Sequence, residues 1–129
     1  MKVKLVSLST LRCHEEINPE RLEKLINQIT TAGCLKHPVV VDRQSRVILD
    51  GHHRFTALKK LGYKKIPIVF VDYFKPQIKI YLRRKNLLMP LLKEIVILKA
   101  KQGKIFPCKT TRHYLPKRLK KLTLLSKLT

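Results

Sequence analysis

Val47-Ile48-Leu49-Asp50-Gly51-His52-His53-Arg54-Phe55-Thr56-Ala57-Leu58-Lys59-Lys60-Leu61-Gly62 reads as strand, tight turn and helix. A short apolar run breaks at Asp50-Gly51, and Phe55, Leu58 and Leu61 then recur at helical spacing up to a glycine stop. The turn sets a carboxylate, a glycine, two imidazoles and a guanidinium at a helix N-terminus. Free backbone N–H groups and the positive end of the helix dipole favour an anion there, and a phosphate suits the position. The alternative reading leaves Asp50 as a helix cap and both histidines solvated.

Upstream, residues 38–41 and 47–49 are β-branched runs joined by Asp42-Arg43-Gln44-Ser45-Arg46, a hairpin that delivers the chain into the Asp50 turn. Residues 3–8 alternate apolar and other side chains like a half-buried strand. Asn18-Pro19 supplies a capping side chain and a proline at the first helical position; Leu22, Leu25, Ile26 and Ile29 form one apolar face, and Gly33 ends the helix. His14-Glu15-Glu16 lies in the loop before that helix, where the dipole holds a carboxylate ionised; plain dipole complementation accounts for the acidic pair equally well. Downstream, Ile66-Pro67-Ile68-Val69-Phe70-Val71-Asp72 reads as a further strand, with Pro67 marking its start or an exposed edge. This mixture predicts an α+β fold built on a small mixed β-sheet with flanking helices.

Past Tyr73 the periodicity weakens. Leu92, Ile95, Val96 and Ala100 fit a helix ending at Gly103. Lys109-Thr110-Thr111-Arg112-His113, after Cys108, gathers an ammonium, two hydroxyls, a guanidinium and an imidazole. That is a dense set of donors for phosphate oxygens, or else a surface loop in a basic protein. Residues 116–129 are rich in Lys and Leu and read as a short amphipathic helix or a frayed tail.

The chain has 129 residues and fits one domain, with a core over residues 1–74 and a basic, helical C-terminal part over 75–129. Its net charge of +21 points to anionic partners such as nucleic acid, nucleotides or phosphorylated metabolites. Of the 29 Lys and Arg residues, 16 lie in 75–129, where Glu94 is the one acidic residue. A thermophilic or generally basic proteome would give a similar excess. Cys13, Cys34 and Cys108 are too widely spaced for a metal site and read as reduced and structural. No signal peptide and no membrane-spanning apolar run is visible, so the expected compartment is the cytoplasm.

Asp50-Gly51-His52-His53-Arg54, with a strand before it and Ala57-Leu58-Lys59-Lys60-Leu61-Gly62 after, resembles the turn at which the ParB/sulfiredoxin-like superfamily binds nucleotide phosphates. Plasmid-partition members carry acidic or arginine residues where this chain has histidines, and sulfiredoxins carry a catalytic cysteine that is missing here. Three stretches are similar to those of archaeal free L-serine kinases and the related staphylococcal siderophore-pathway serine kinases. They are His14-Glu15, the turn from Asp50 to Arg54, and Lys109 to His113 followed by Leu115-Pro116. The resemblance implies transfer of a phosphoryl group from ADP or ATP, with Mg2+, to the hydroxyl of free L-serine, giving O-phosphoserine. It assigns Glu15 to activating the hydroxyl, Gly51, His52, His53 and Arg54 to the phosphates, and Lys109, Thr110, Thr111, Arg112 and His113 to serine or phosphoserine. Those kinases carry a substantial insertion between the Val71-Asp72-Tyr73 strand and the C-terminal helix, whereas about fifteen residues join Asp72 to Leu88 here.

The chemistry is consistent with those assignments. Phosphoryl transfer depends on in-line positioning and on stabilising charge on the transferred group. Gly51 lets the backbone approach the phosphates, His52, His53 and Arg54 neutralise them, and Asp50 orients the group or holds Mg2+. Glu15 accepts the hydroxyl proton. A second reading is a ParB-like DNA-binding protein or nuclease whose basic C-terminal half binds nucleic acid non-specifically through counterion release. Against it stand the lack of a helix-turn-helix pair with a basic recognition helix and the few aromatics. A third is a non-catalytic nucleotide or metabolite sensor.

Overall fold

Asn18 opens the first helix through its side chain, whose Oδ1 accepts the N–H groups of Glu20 at 2.9 Å and Arg21 at 3.3 Å, and Gly33 closes it in the left-handed conformation. The structure, a computed structural model, describes residues 2–75, 78–84, 87–90, 93–104, 111–114 and 121–129. In chain order these contain β1 (Val3–Ser7), α1 (Pro19–Ala32), β2 (Cys34–Leu35), β3 (Val39–Asp42), β4 (Ile48–Asp50), α2 (His52–Lys60) and β5 (Lys65–Val71). Beyond β5 come β6 (Lys79–Arg84), β7 (Leu87–Pro90), α3 (Lys93–Lys101), β8 (Thr111–Tyr114) and β9 (Thr123–Leu124).

The central sheet runs β1-β5-β3-β4, with β3 parallel to β5 and the other pairs antiparallel, so the expected α+β fold with a mixed sheet is present. Its strands β3, β4 and β5 are covered on both faces, which explains why they read as continuous apolar runs, whereas the half-exposed β1 alternates. Alternation along β3 and β4 sends Val39, Val41 and Ile48 to the core under α1 and α2, where Leu22, Ile29, Phe55 and Leu58 pack. Val40, Val47 and Leu49 face the other way, onto Tyr73, Ile78 and the Val96 and Ala100 face of α3. The hairpin turn is held by Asp42, whose Oδ2 accepts from the Ser45 N–H at 3.0 Å and the Ser45 hydroxyl at 2.6 Å. Pairing of Val40 with Asp50 but of Val41 with Ile48 leaves Leu49 as an extra residue, and this bulge redirects the chain just before the turn.

Pro67 lies near the start of β5, one of the two placements expected of it, and β5 is an interior strand; two other features depart from the sequence expectation. The Leu8 N–H donates to the Lys64 carbonyl at 3.1 Å, which places Leu5 and Pro67 at a non-hydrogen-bonded pair of the β1 ladder. The proline's missing donor therefore faces β3, whose pairing with β5 begins one residue later, at Val39 and Ile68. Between Tyr73 and the C-terminus, α3 is joined by a second sheet in the order β7-β6-β8, which no periodicity marked. Finally, residues 121–129 form neither an amphipathic α-helix nor a frayed tail, but a short strand followed by one 3-10 turn over Leu125–Lys127. There β9 pairs with β2, Leu125 and Leu128 enter the core, and the Leu128 carbonyl accepts from both Lys64 and Lys65.

Because Leu128 is fully buried, Leu128→Ala is expected to lower unfolding stability by about 2–5 kcal/mol. Exposed Leu122 is its control, and Leu122→Ala should cost less than about 0.5 kcal/mol. Equal urea midpoints for the two variants would contradict a docked C-terminus.

Candidate functional site

Gly51, at φ +109°, joins β4 to α2 and is the residue before the first helical position. A Cβ there would sit 2.8 Å from Val39 Cγ2, so both the backbone conformation and the close approach to β3 exclude a side chain. Asp50 is accordingly not the helix cap. Its Oδ2 lies 3.2 Å from Arg54 Nη2, while Arg54 Nη1 donates to the carbonyls of His37 at 3.1 Å and Pro38 at 2.9 Å. The guanidinium thus ties the first turn of α2 to the connection between β2 and β3.

The two histidines of the turn both reach back to the loop before α1. His52 Nε2 accepts the backbone N–H of His14 at 3.1 Å, and His53 Nε2 accepts that of Asn18 at 2.9 Å. His14 is itself buried, with Nδ1 2.7 Å from the Ile48 carbonyl. Its ring meets His52 and His113 edge-on, at centroid separations of 4.5 and 5.2 Å. His113 completes the group from β8. Its Nε2 lies 2.8 Å from the hydroxyl of buried Tyr73.

Burial decides the charge state of this cluster. Desolvation pulls His14 down to about 4 and outweighs the hydrogen bond to Ile48 that favours its cation. His52 is pushed well below the ordinary histidine range by burial and then by the neighbouring histidines; His113 is lowered in the same way by burial, with His14 and Lys93 adding to it. Burial, reinforced by Asp42 and Glu94, raises the Tyr73 phenol. His52 is therefore a neutral ring, and the charge expected of it from sequence is absent. The Tyr73 hydroxyl and His113 Nε2 are thus hydrogen-bonded as two neutral groups.

A cleft of about 600 Å³ collects Glu15, the Asp50-to-Arg54 turn and His113. Lys109 and Thr110 lie outside the described residues; Thr111 and Arg112 belong to β8, where their backbones pair with Leu82 and Tyr81. Sequence reading missed the opposite wall, formed by Arg21, Lys24 and Gln28. Their spacing of three and four along α1 marks a polar stripe beside the apolar face, a signal available in the sequence. Tyr73 and His37 carried no such signal, because their roles depend on strand placement. Cys13 and Cys34 are free thiols, and Cys108 lies outside the described residues. Among the described residues no helix is long and apolar enough to cross a membrane.

The ParB N-terminal domain model matches residues 1–84, and the chain belongs to that family. The chain is also 39% identical over 80 residues to an ATP-dependent L-serine kinase of Staphylothermus marinus, covering 59% of this chain and 32% of that protein. With an ADP-dependent L-serine kinase of Thermococcus kodakarensis it shares 34% identity over 80 residues, covering 59% and 33%. The matched stretch thus spans about one third of the length of these curated relatives. A solved structure of a free serine kinase in complex with AMP superposes with a TM-score of 0.86 over 98% of this chain and 93% of that one, at 18% identity. That likeness establishes the fold.

Two measurements probe this geometry. Gly51→Ala adds a left-handed backbone cost of about 1–2 kcal/mol and an overpacking cost of about 1–3 kcal/mol. Gly62→Ala, at φ +84° with open space around it, should show the first cost alone in thermal unfolding. For the histidines, the folded values lie below the unfolded value of 6.5, so their contribution is complete above pH 6.5 and is lost as pH falls toward the folded values. His14 alone should remove on the order of 3 kcal/mol between pH 6.5 and 4, and His52 and His113 act in the same direction. A flat stability profile over that window would contradict neutral burial.

Proposed function

We propose that this protein transfers a phosphoryl group from ATP or ADP to the hydroxyl of free L-serine, giving O-phosphoserine. The observation that carries the proposal is convergence: Glu15, the Asp50-to-Arg54 turn and His113 come from distant parts of the chain and line one cleft. The curated relatives named as L-serine kinases support it, as does the AMP complex of the fold neighbour. The same reading takes residues 1–129 as a single domain, since the Tyr73–His113 hydrogen bond ties β8 to the core.

Nucleotide phosphates meet the backbone N–H groups that Gly51 opens at the start of α2, with Arg21 and Lys24 supplying positive charge from α1. The serine end falls to His113, which lines the cleft, and by the resemblance to the Lys109-to-Arg112 stretch before it. Glu15 takes the proton from the serine hydroxyl as its oxygen forms the bond to phosphorus and the bond to the leaving nucleotide breaks. Among the described residues no group of three or more acidic, His or Cys side chains is placed to hold a metal ion. Asp50, which lines the cleft on the turn itself, is the side chain that would hold Mg2+ carried largely by phosphate oxygens, where the ion would supply charge neutralisation. Membership of the ParB N-terminal domain family and the charge of +21 support a second reading, a DNA-binding module. Steeply salt-dependent DNA affinity without serine turnover would favour it.

A coupled assay with L-serine, Mg2+ and either nucleotide tests the kinase. Glu15→Gln keeps size and polarity but accepts no proton, so turnover should fall about 10²- to 10⁴-fold with nucleotide affinity little changed. Glu16→Gln should leave the rate nearly intact. Equal, small losses in both variants would remove Glu15 from the mechanism.

A further inference from the structure

The loop that carries Glu15 is held at both ends. At one end the Arg12 N–H donates to the Arg46 carbonyl at 2.9 Å and the Arg12 carbonyl accepts from Ile48 N–H at 2.8 Å, so the loop runs along the open edge of β4. Nearer the carboxylate the anchors are side chains of α2: His52 Nε2 takes the N–H of His14, and His53 Nε2 takes that of Asn18. These two bonds bracket Glu15, one residue before it and three after. The second also fixes the residue that caps α1.

An imidazole nitrogen that receives an N–H cannot itself carry a proton. Each ring is then neutral, with its proton on Nδ1, and protonation of Nε2 would set two donors against each other. An ammonium or guanidinium at either position would likewise offer donors where an acceptor is required.

We propose that His52 and His53 are positioning residues: their Nε2 atoms receive the backbone N–H groups on either side of Glu15 and hold its carboxylate in the cleft beside Gly51. What these positions demand is acceptor capacity in place of positive charge. The catalytic consequence rests on the kinase reading above; the hydrogen bonds do not.

Three readouts on the chain of residues 1–129 test this. Long-range 1H–15N spectra of the wild-type protein at pH 7 should show Nε2 of both histidines unprotonated and Nδ1 protonated; a cationic ring or the opposite tautomer at either position overturns the proposal without any variant. The second readout compares His53→Gln, whose amide oxygen replaces the acceptor, with His53→Arg, which offers donors alone. Amide exchange at Asn18 should stay within a few-fold of wild type in the first and accelerate about tenfold or more in the second, the equivalent of losing one hydrogen bond. In the serine kinase assay His53→Gln should retain most of kcat, while His53→Arg lowers kcat and leaves the KM for nucleotide nearly unchanged. If His53→Arg is the better enzyme and His53→Gln raises the nucleotide KM, the ring is a phosphate ligand and the proposal fails. An absence of serine turnover in the wild-type protein would reject the kinase reading alone, since the spectra and the exchange rates still decide where the loop is held.

Discussion

The close approach of Gly51 to Val39 is the constraint on which the site depends. A Cβ at position 51 would stand 2.8 Å from a methyl of a fully buried strand residue, so the turn can lie this tight against β3 with glycine alone. That contact puts the start of α2 beside the sheet, within reach of two different segments. Arg54 extends one way to the His37 and Pro38 carbonyls, and His52 and His53 extend the other way to the loop before α1. One turn thereby organises both walls of the cleft.

The interior next to this turn is polar yet uncharged. Three imidazoles and a phenol are packed against the sheet: His14 meets the Ile48 carbonyl on the edge strand, His52 takes the N–H of His14, and Tyr73 pairs with His113. No buried side-chain nitrogen or oxygen among the described residues lacks a partner. Desolvation outweighs the hydrogen bonds that would favour a cation, so the cluster avoids the cost of unpaired buried charge. In a chain of net charge +21 this separates two tasks: surface lysines and arginines set the attraction for anions, and neutral rings set geometry.

Likeness to known proteins is divided between the two halves of the chain. Identity with the curated serine kinases is confined to about 80 residues, and the family model ends at residue 84. The fold likeness, by contrast, covers 98% of the chain. The N-terminal sheet and turn therefore carry the family signal. The chain beyond residue 84 preserves the architecture, including the β8 strand that delivers His113 to the cleft.

Much of this was legible in the residues. The helix of Pro19–Ala32 was marked by an Asn-Pro start, one apolar face and a glycine stop, and the Asp50-Gly51 turn by the end of apolar alternation; both are local signals, settled within a few residues of chain. Resemblance at three short stretches singled out Glu15, the turn and His113 as candidates, and the fold brings all three to one cleft. The sequence could not show that Pro67 would sit in an interior strand, that Leu128 would close the core, or that residues 79–84 and 87–90 would pair as antiparallel strands of a second sheet. Each depends on a pairing partner remote in the chain. The charge of the histidines was decided in the same way, because an imidazole's protonation depends on its burial and on what its second nitrogen meets. His52 reads as a phosphate-facing cation beside Arg54, and becomes a neutral acceptor only because the fold brings the backbone N–H of His14 to its Nε2.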